Sequence, residues 1–589
     1  MQALDVNALF ARAEQAFAAG RIDAARADLT QVQRLAGDHP AVLHLLALVE
    51  KKLGKTESAR SAFAKALRLD PRNAEIAMNA GNFYSGCANY ESGLAAYEQA
   101  LAAKPAHLPA MRGRALCLAR LSRSDEARTA YRRAVELAPA DAKTWIALGA
   151  FERDEGNLQA AAASFDRALT LAPTTPAAVH GRARVALERG EEDAARRFAE
   201  AERLLPDDPQ VALGAAEAAV AVDQEDALRR LKAVIARFPD WAEPQAALAR
   251  LRWERGERET FTAALEAALA ERNRNADLWR TLVRALSGVD RHIAAADAAA
   301  RARAALGTDP LFQLLEAANA SEGGDLRRAD ALFAVLPPVD GSQVAEARHR
   351  LKSGDPDRAE ELLDTAREQA PEDVAAWAWT GLVWRVKGDD RAEWLYRPRQ
   401  LARPIDLEID HHELEAIATE IVKLHHAVSF PIGQSLRGGT QTRGRLFDRP
   451  EEPVARLRES IMEALHAYWA ALPGEDSAHP LLRQRNAAPR LGGSWSVRLT
   501  DGGFHVAHIH PLGLLSSACY LRLPPAREGG EGWLELGRAP TDMGLDLPPL
   551  LTIEPRPGRL ALFPSYMFHG TVPFQEGERL TVAFDIVPR

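Results

Sequence analysis

Cysteine is scarce in this 589-residue chain, and Cys87, Cys117 and Cys519 stand far apart. That leaves no disulfide framework and no cysteine-type zinc site, and it fits a reducing, cytoplasmic setting. No apolar run reaches the ~18 residues of a membrane span, so a membrane is not expected as a partner. An excess of positive charge is also missing: 74 Lys and Arg face 82 Asp and Glu, for a net charge of −8. Nothing in that balance points to nucleic acid. The start, Met1-Gln2-Ala3-Leu4-Asp5-Val6-Asn7, lacks the basic and apolar regions of a signal peptide. The remaining composition is ordinary, at 47% hydrophobic and 26% charged, with length enough for several domains. Oligomeric state leaves no trace in these totals.

Prolines recur at Pro71, Pro105, Pro139 and Pro173, each 34 residues from the last, and Pro206 and Pro239 come next at spacings of 33. A fixed period in this range marks a repeat architecture. Aligned on the prolines, small residues form columns: Ala47, Gly81, Ala115, Gly149; Ala59, Gly93, Ala127, Ala161; Ala66, Ala100, Ala134, Ala168. Phe63, Tyr97, Tyr131 and Phe165 form an aromatic column. Each unit reads as two antiparallel helices. Small residues let them approach, the aromatic fills the gap to the next unit, and proline ends the second helix. The pattern resembles the tetratricopeptide repeat over residues 5–241, and an alanine- and leucine-rich helical texture with a decaying period continues to about Arg391. Such an array is either a spacer or dimerisation surface, or a groove for a protein or peptide. Trp377, Trp379, Trp384 and Trp394 cluster near its end and are expected to pack it onto the next domain.

Arginine and proline between Tyr396 and Pro404 break the helical pattern. The expected domains are therefore 1–241 (regular repeats), 242–395 (degenerate repeats) and 396–589. Two helices, 411–426 and 452–472, carry apolar residues at helical spacing (Leu414, Ile417, Ile421, Leu424; Val454, Leu457, Ile461, Leu465). The pairs His411-His412 and His425-His426 are expected at the surface. The Gly- and Arg-rich stretch 435–444 reads as a lid or substrate loop.

From Gly493 the texture changes to short runs between Gly and Pro turns: 494–499, 504–510, 515–523, 532–536, 551–554, 559–563, 567–572 and 580–587. About eight short strands without long helices between them suggest a jelly roll. Ten of the 16 histidines lie at or after His411. His508 and His510, at i and i+2, share a face of an extended run. His569 stands further on in Phe568-His569-Gly570, and Arg579 and Thr581 come ten and twelve residues later. Paired ligand-type residues, a distal His and a subsequent Arg outline a mononuclear non-haem iron site using a 2-oxo acid. Imidazole suits ferrous iron, and Arg579 would meet the acid's distal carboxylate with a bidentate pair, helped by the Thr581 hydroxyl. His505, offset by three from His508, is expected on the opposite side of the strand. Trp495, Tyr520 and Arg498 are candidates for the pocket, with Phe504, Phe563 and Phe568 as further aromatic candidates.

His508-Ile509-His510-Pro511, Leu515-Ser516-Ser517-Ala518-Cys519-Tyr520, Pro557-Gly558-Arg559-Leu560, Phe563-Pro564-Ser565 and Arg579-Leu580-Thr581 together resemble the 2-oxoglutarate/iron(II) oxygenase family found in bacteria and phages. The resemblance covers about 492–589. It implies a double-stranded β-helix, with flanking helices here, holding Fe(2+) with 2-oxoglutarate and O2 as co-substrates. His508, His510 and His569 would be the metal ligands, Arg579 and Thr581 would bind 2-oxoglutarate, and no catalytic side chain beyond them is implied. One departure matters: the wider superfamily has His-x-Asp or His-x-Glu where this chain has His508-x-His510. His510 is then a third ligand, or stands outside the coordination shell as in aspartyl/asparaginyl hydroxylase-like enzymes, or the site takes another metal such as zinc. The expectation is an all-α tetratricopeptide-like solenoid leading into a jelly-roll dioxygenase that hydroxylates a protein or peptide recruited by the array. The alternative is an interaction scaffold whose oxygenase-like domain has lost its chemistry.

Overall fold

The computed structural model describes residues 6–307, 309–525 and 529–588. Residues 1–5, on which part of the leader reading falls, lie outside the described residues. The chain forms two compact units, Met1–Val185 and Ala186–Arg589. No helix among the described residues is long and apolar enough to cross a membrane.

In the first unit, helices such as Thr56–Leu69, Ala74–Gly86, Tyr90–Ala103 and Leu108–Arg120 succeed one another as antiparallel pairs. The predicted columns have the expected physical cause. Phe63, Tyr97, Tyr131 and Phe165 are all buried, each contributing roughly 2–3 kcal/mol of hydrophobic stabilisation. A Cβ on Gly81 would stand 2.6 Å from the Tyr97 ring, so only glycine lets that ring lie against the helix. Pro71, Pro105, Pro139 and Pro173 each come directly after the residue that caps a helix C-terminus, where a residue unable to continue the helix belongs.

The second unit continues with paired helices to Arg391–Tyr396 and then a β-rich region. Helix Val374–Lys387 is apolar on almost every side, and Trp377, Ala378, Trp379, Leu382, Val383 and Trp384 are all buried. A helix of that kind must be covered all round. Its coverings are the preceding repeat and the sheet: one hydrophobic core runs from Ala347 to Ile586. Trp379 packs edge-on to Phe568 with ring centroids 4.9 Å apart, and Trp394 packs against His479 at 5.2 Å. The tryptophan cluster thus packs the last repeats onto the β region.

Among the described residues, nine strands form this region: β1 (Arg403–Asp406), β2 (Leu436–Gln441), β3 (Arg490–His505), β4 (Leu515–Arg522), β5 (Leu534–Leu536), β6 (Leu551–Ile553), β7 (Arg559–Pro564), β8 (His569–Thr571) and β9 (Arg579–Val587). A six-stranded sheet has the order β1-β7-β4-β9-β3-β2, a three-stranded sheet the order β6-β5-β8, and every pairing is antiparallel. This is the expected double-sheet arrangement. Helices His411–Val422 and Glu452–Ala470 flank it, burying Leu414, Ile417 and Ile421, and Val454, Leu457, Ile461 and Leu465.

One expectation changes. The stretch read as a lid contains β2, an edge strand whose register against β3 shifts between Arg437 and Gly439. The segment before it is pinned to the repeat helices: the amides of Val428 and Ser429 donate to the Glu254 carbonyl, the Trp253 indole donates to the Phe430 carbonyl at 2.8 Å, and the Gly433 amide donates to the Gly288 carbonyl. Arg258 stacks over Trp253 at 4.1 Å, and Arg437 pairs with Asp290 at 2.6 Å. This segment is a clamp between repeats and sheet.

Candidate metal centre

Strand β9 organises the site. Leu580, Val582, Phe584 and Ile586 enter the core, so the alternate residues Arg579, Thr581, Ala583 and Asp585 face the other way, and all four line one cavity. On β3, Val497 stands opposite Thr581 and lines the same cavity with Trp495. His508 lies beyond the end of β3 but pairs with His569 of β8. The His508 amide donates to the His569 carbonyl at 3.0 Å, and the His569 amide returns a bond to His508 at 2.9 Å. A Cβ on Gly570 would come within 2.9 Å of the His505 carbonyl oxygen, so glycine there permits this approach.

The three predicted histidines converge. One ring nitrogen from each of His508, His510 and His569 lies within 4.8 Å of the others. Every Nδ1 faces a group that can only accept: Val506 carbonyl for His508 at 2.9 Å, Met567 carbonyl for His569 at 3.0 Å, and the Asp585 carboxylate for His510 at 2.5 Å. Each Nδ1–H therefore has an acceptor, and Nε2 is the nitrogen left to face a metal. Burial, reinforced by the neighbouring rings, pushes His508 down to about 3 and His569 well below the ordinary value. These are the neutral forms that bind metals. The Nε2 atoms of His508 and His510 stand 3.2 Å apart. A cation between them would draw on both nitrogens. The donor set fits a metal ion.

Arg579 fits a carboxylate. It is 2% exposed. One nitrogen donates to the Gly532 carbonyl at 3.0 Å, while its Nε finds no acceptor among the described residues. No described acid neutralises it, and burial lowers its pKa. A buried guanidinium without a counter-charge is costly, and the distal carboxylate of a 2-oxo acid would supply the missing partner. Thr581 stands two residues on, and its hydroxyl reaches the Val497 carbonyl at 3.4 Å.

The pocket candidates divide. Trp495 lines the cavity, 5.6 Å from the His510 ring. Tyr520 is fully buried, is not among the lining residues, and has the Arg579 guanidinium 5.0 Å from its ring centroid. Arg498 is not a pocket residue: strand alternation turns it away, and it pairs with Glu578 at 2.6 Å. Phe563 and Phe568 line the cavity, and Phe504 is not among its lining residues. His505 faces the cavity rather than the opposite side, because β3 ends there and strand alternation ends with it. Of the histidine pairs expected at the surface, His425 is half-buried between Thr440 and Ser496, and burial pushes it down to about 4.

Two neighbours escaped sequence reasoning. Ser435 Oγ lies 3.0 Å from His505 Nδ1 and 3.1 Å from His508 Nε2, and the sequence marked that serine only as the first residue of the 435–444 stretch. Asp585 was findable, since it continues the i+2 series from Arg579 and Thr581. The cavity, of about 1200 Å³, has the sheet and triad on one side and repeat helices on the other, through Leu315, Asn319, Glu322, Arg348 and Trp379. Glu322 and Asp542 bracket Arg348, tying the two walls together.

Residues 493–585 match the family described as "Putative 2OG-Fe(II) oxygenase", and residues 40–73, 88–142, 147–209 and 344–392 match tetratricopeptide-repeat families. The chain is a tetratricopeptide-repeat array ending in a domain of this oxygenase family. Within that domain, the family match encloses His508, His510, His569, Arg579 and Thr581. The repeat–oxygenase chain is also similar to Protein FlbA of Caulobacter vibrioides, at 28% identity over 175 residues. That match covers 29% of this chain and 29% of the relative, so it spans less than a third of the relative's length. Among solved structures, a tetratricopeptide repeat protein from Parabacteroides merdae aligns with 39% of this chain and 92% of its own at 19% identity and a TM-score of 0.34. Yeast Tom70 aligns with 66% of this chain and 98% of its own at 13% identity and a TM-score of 0.35.

Proposed function

We propose that this protein is a 2-oxoglutarate- and Fe(II)-dependent dioxygenase that hydroxylates a protein or peptide brought to it by the repeat array. The observation that carries the reading is the pairing, in one cavity, of three converging imidazole nitrogens with a buried guanidinium that has no carboxylate partner among the described residues. His508, His510 and His569 would hold the iron, and Arg579 with Thr581 would hold the distal end of 2-oxoglutarate. When bound, the iron with 2-oxoglutarate and dioxygen supplies oxidation of a substrate C–H bond, with succinate and carbon dioxide as the co-products. The chain's own part is to orient. Val506, Asp585 and Met567 set the ring tautomers, and Phe563 and Phe568 make one wall of the cavity apolar. The cavity exceeds the ~300–1,000 Å³ of ordinary small-molecule sites, and repeat helices make its far wall, which favours a polypeptide segment as substrate.

The test is anaerobic titration of the purified protein with ferrous iron and 2-oxoglutarate, monitoring the weak visible charge-transfer band of the chelate. The band is expected with the wild type. In Arg579→Ala, 2-oxoglutarate affinity should fall about 30- to 150-fold, the equivalent of a charge-assisted pair worth ~2–3 kcal/mol. A protein that binds iron yet shows neither band nor 2-oxoglutarate affinity would overturn the reading.

A further inference from the structure

The triad contains no carboxylate: the grouping of possible ligands among the described residues holds His508, His510 and His569 alone. Three neutral imidazoles bring no negative charge to a divalent ion, whereas a two-His, one-carboxylate set brings one. A carboxylate nevertheless stands one hydrogen bond away. Asp585 accepts from His510 Nδ1 at 2.5 Å, and both side chains are largely shielded, with 15% of His510 and 17% of Asp585 exposed. Asp585 is itself held. The Ser516 hydroxyl donates to the same carboxylate oxygen at 3.3 Å, and Ser565 Oγ lies 2.9 Å from Ser516 Oγ. Both serines are completely buried. Their position is built in by register: β4 places Ser516 directly opposite Asp585 of β9 on one side and Phe563 of β7 on the other.

Resting on the oxygenase reading, we propose that Asp585 is the positioning residue that makes His510 the third metal ligand, and that it supplies the missing negative charge through the His510 ring. Asp585 accepts the Nδ1 proton, so the Nε2 lone pair is left for the ion and the ring plane is fixed. Electron density drawn from the ring through Nε2 makes the Nδ1 proton more acidic, and the carboxylate stabilises that change. The usual His-x-carboxylate pair is thereby replaced by a His-x-His pair with its carboxylate one bond further out. The carboxylate comes from the strand that also carries Arg579 and Thr581. The Ser516–Ser565 pair keeps Asp585 turned toward His510 rather than toward the open cavity.

The test uses the full chain and Co(II) as a spectroscopic probe, with affinity read by competition against a chromophoric chelator and geometry by the visible d–d bands. Outer-shell partners of metal-bound histidines typically change affinity by about 10- to 100-fold. Asp585→Asn keeps an accepting oxygen and loses the charge, so it should weaken Co(II) about tenfold; Asp585→Ala loses both and should approach a hundredfold. Ser516→Ala should give a smaller loss. Adding Asp585→Ala to His510→Ala should weaken binding no further, because the effect runs through His510. Far-UV circular dichroism and the thermal midpoint identify any variant that fails to fold, and the isosteric Asp585→Asn keeps the test open in that case. Co(II) affinity and d–d bands within twofold of wild type in both Asp585 variants would overturn the proposal. So would an undiminished Asp585→Ala effect in the His510→Ala background. Failure of the oxygenase reading looks different: wild-type protein would bind Co(II), with the Asp585 effects intact, yet convert no 2-oxoglutarate.

Discussion

His508 and His569 exchange both backbone hydrogen bonds, and their rings stand 4.1 Å apart between centroids. A backbone pair of this kind sets the spacing of two candidate ligands. It depends on Gly570. A Cβ there meets backbone atoms of His505 and Ala507 at 2.9–3.3 Å, and backbone cannot swing aside as a flexible side chain would. Gly570→Ala is expected to push residues 505–508 off β8, destabilising the protein by about 1–3 kcal/mol and weakening Co(II) binding more than tenfold. A thermal melt beside a Co(II) titration checks both. Wild-type metal affinity in this variant would mean that the pairing does not set the ligand spacing.

Trp253 should govern the clamp. It is 4% exposed, stacks edge-on with Phe430 at 5.5 Å and donates to the Phe430 carbonyl. Truncating a buried aromatic costs about 3–5 kcal/mol, and here the loss falls on the segment that leads to Ser435. Trp253→Ala is expected to speed hydrogen exchange at the amides of Val428, Ser429 and Gly433, which are bonded to repeat-helix carbonyls. Unchanged exchange at those amides would show that the clamp holds without the indole.

His479 gives the second unit an acid-sensitive joint. Its Nδ1 accepts from the amides of Leu481 and Leu482, each at 3.2 Å, and its Nε2–H donates to the Leu395 carbonyl at 3.0 Å. The ring is completely buried. Burial pushes its pKa from 6.5 down to about 4. The folded form holds fewer protons than the unfolded chain between those values, so stability is full above pH 6.5 and is lost as pH falls toward 4. The loss amounts to roughly 3 kcal/mol at 1.36 kcal/mol per unit. Denaturant midpoints should fall more steeply between pH 7 and 4.5 in wild type than in His479→Gln. Parallel curves would remove His479 as the source.

The repeats were legible because their cause is local. A helix pair needs small residues where it touches and an aromatic where the next pair stacks, so Gly81 and Tyr97 reappear at a fixed period in any register of the fold. The apolar faces of the two flanking helices were legible for the same reason. Edge strands β1 and β2 were not, being short or glycine-rich and defined only by their partners. Within the candidate site, the spacing of His508 and His510 and of Arg579 and Thr581 announced shared faces, and the structure does bring His508, His510 and His569 together.

Where strand alternation was extrapolated past a strand's end it failed, as with His505, and Arg498 was assigned to the wrong face. Asp585 lay on a readable face, but its meeting with His510 required the β4–β9 register and the turn after His510. The amino-acid order alone determined the repeat array, the β-rich C-terminus and the candidate ligands, because helical period and strand alternation act over a few residues. Only the tertiary structure decided which repeat helices wall the cavity, that Arg579 has no acid partner among the described residues, and that a carboxylate stands behind His510. Those depend on contacts between segments far apart in sequence, where no local period carries information.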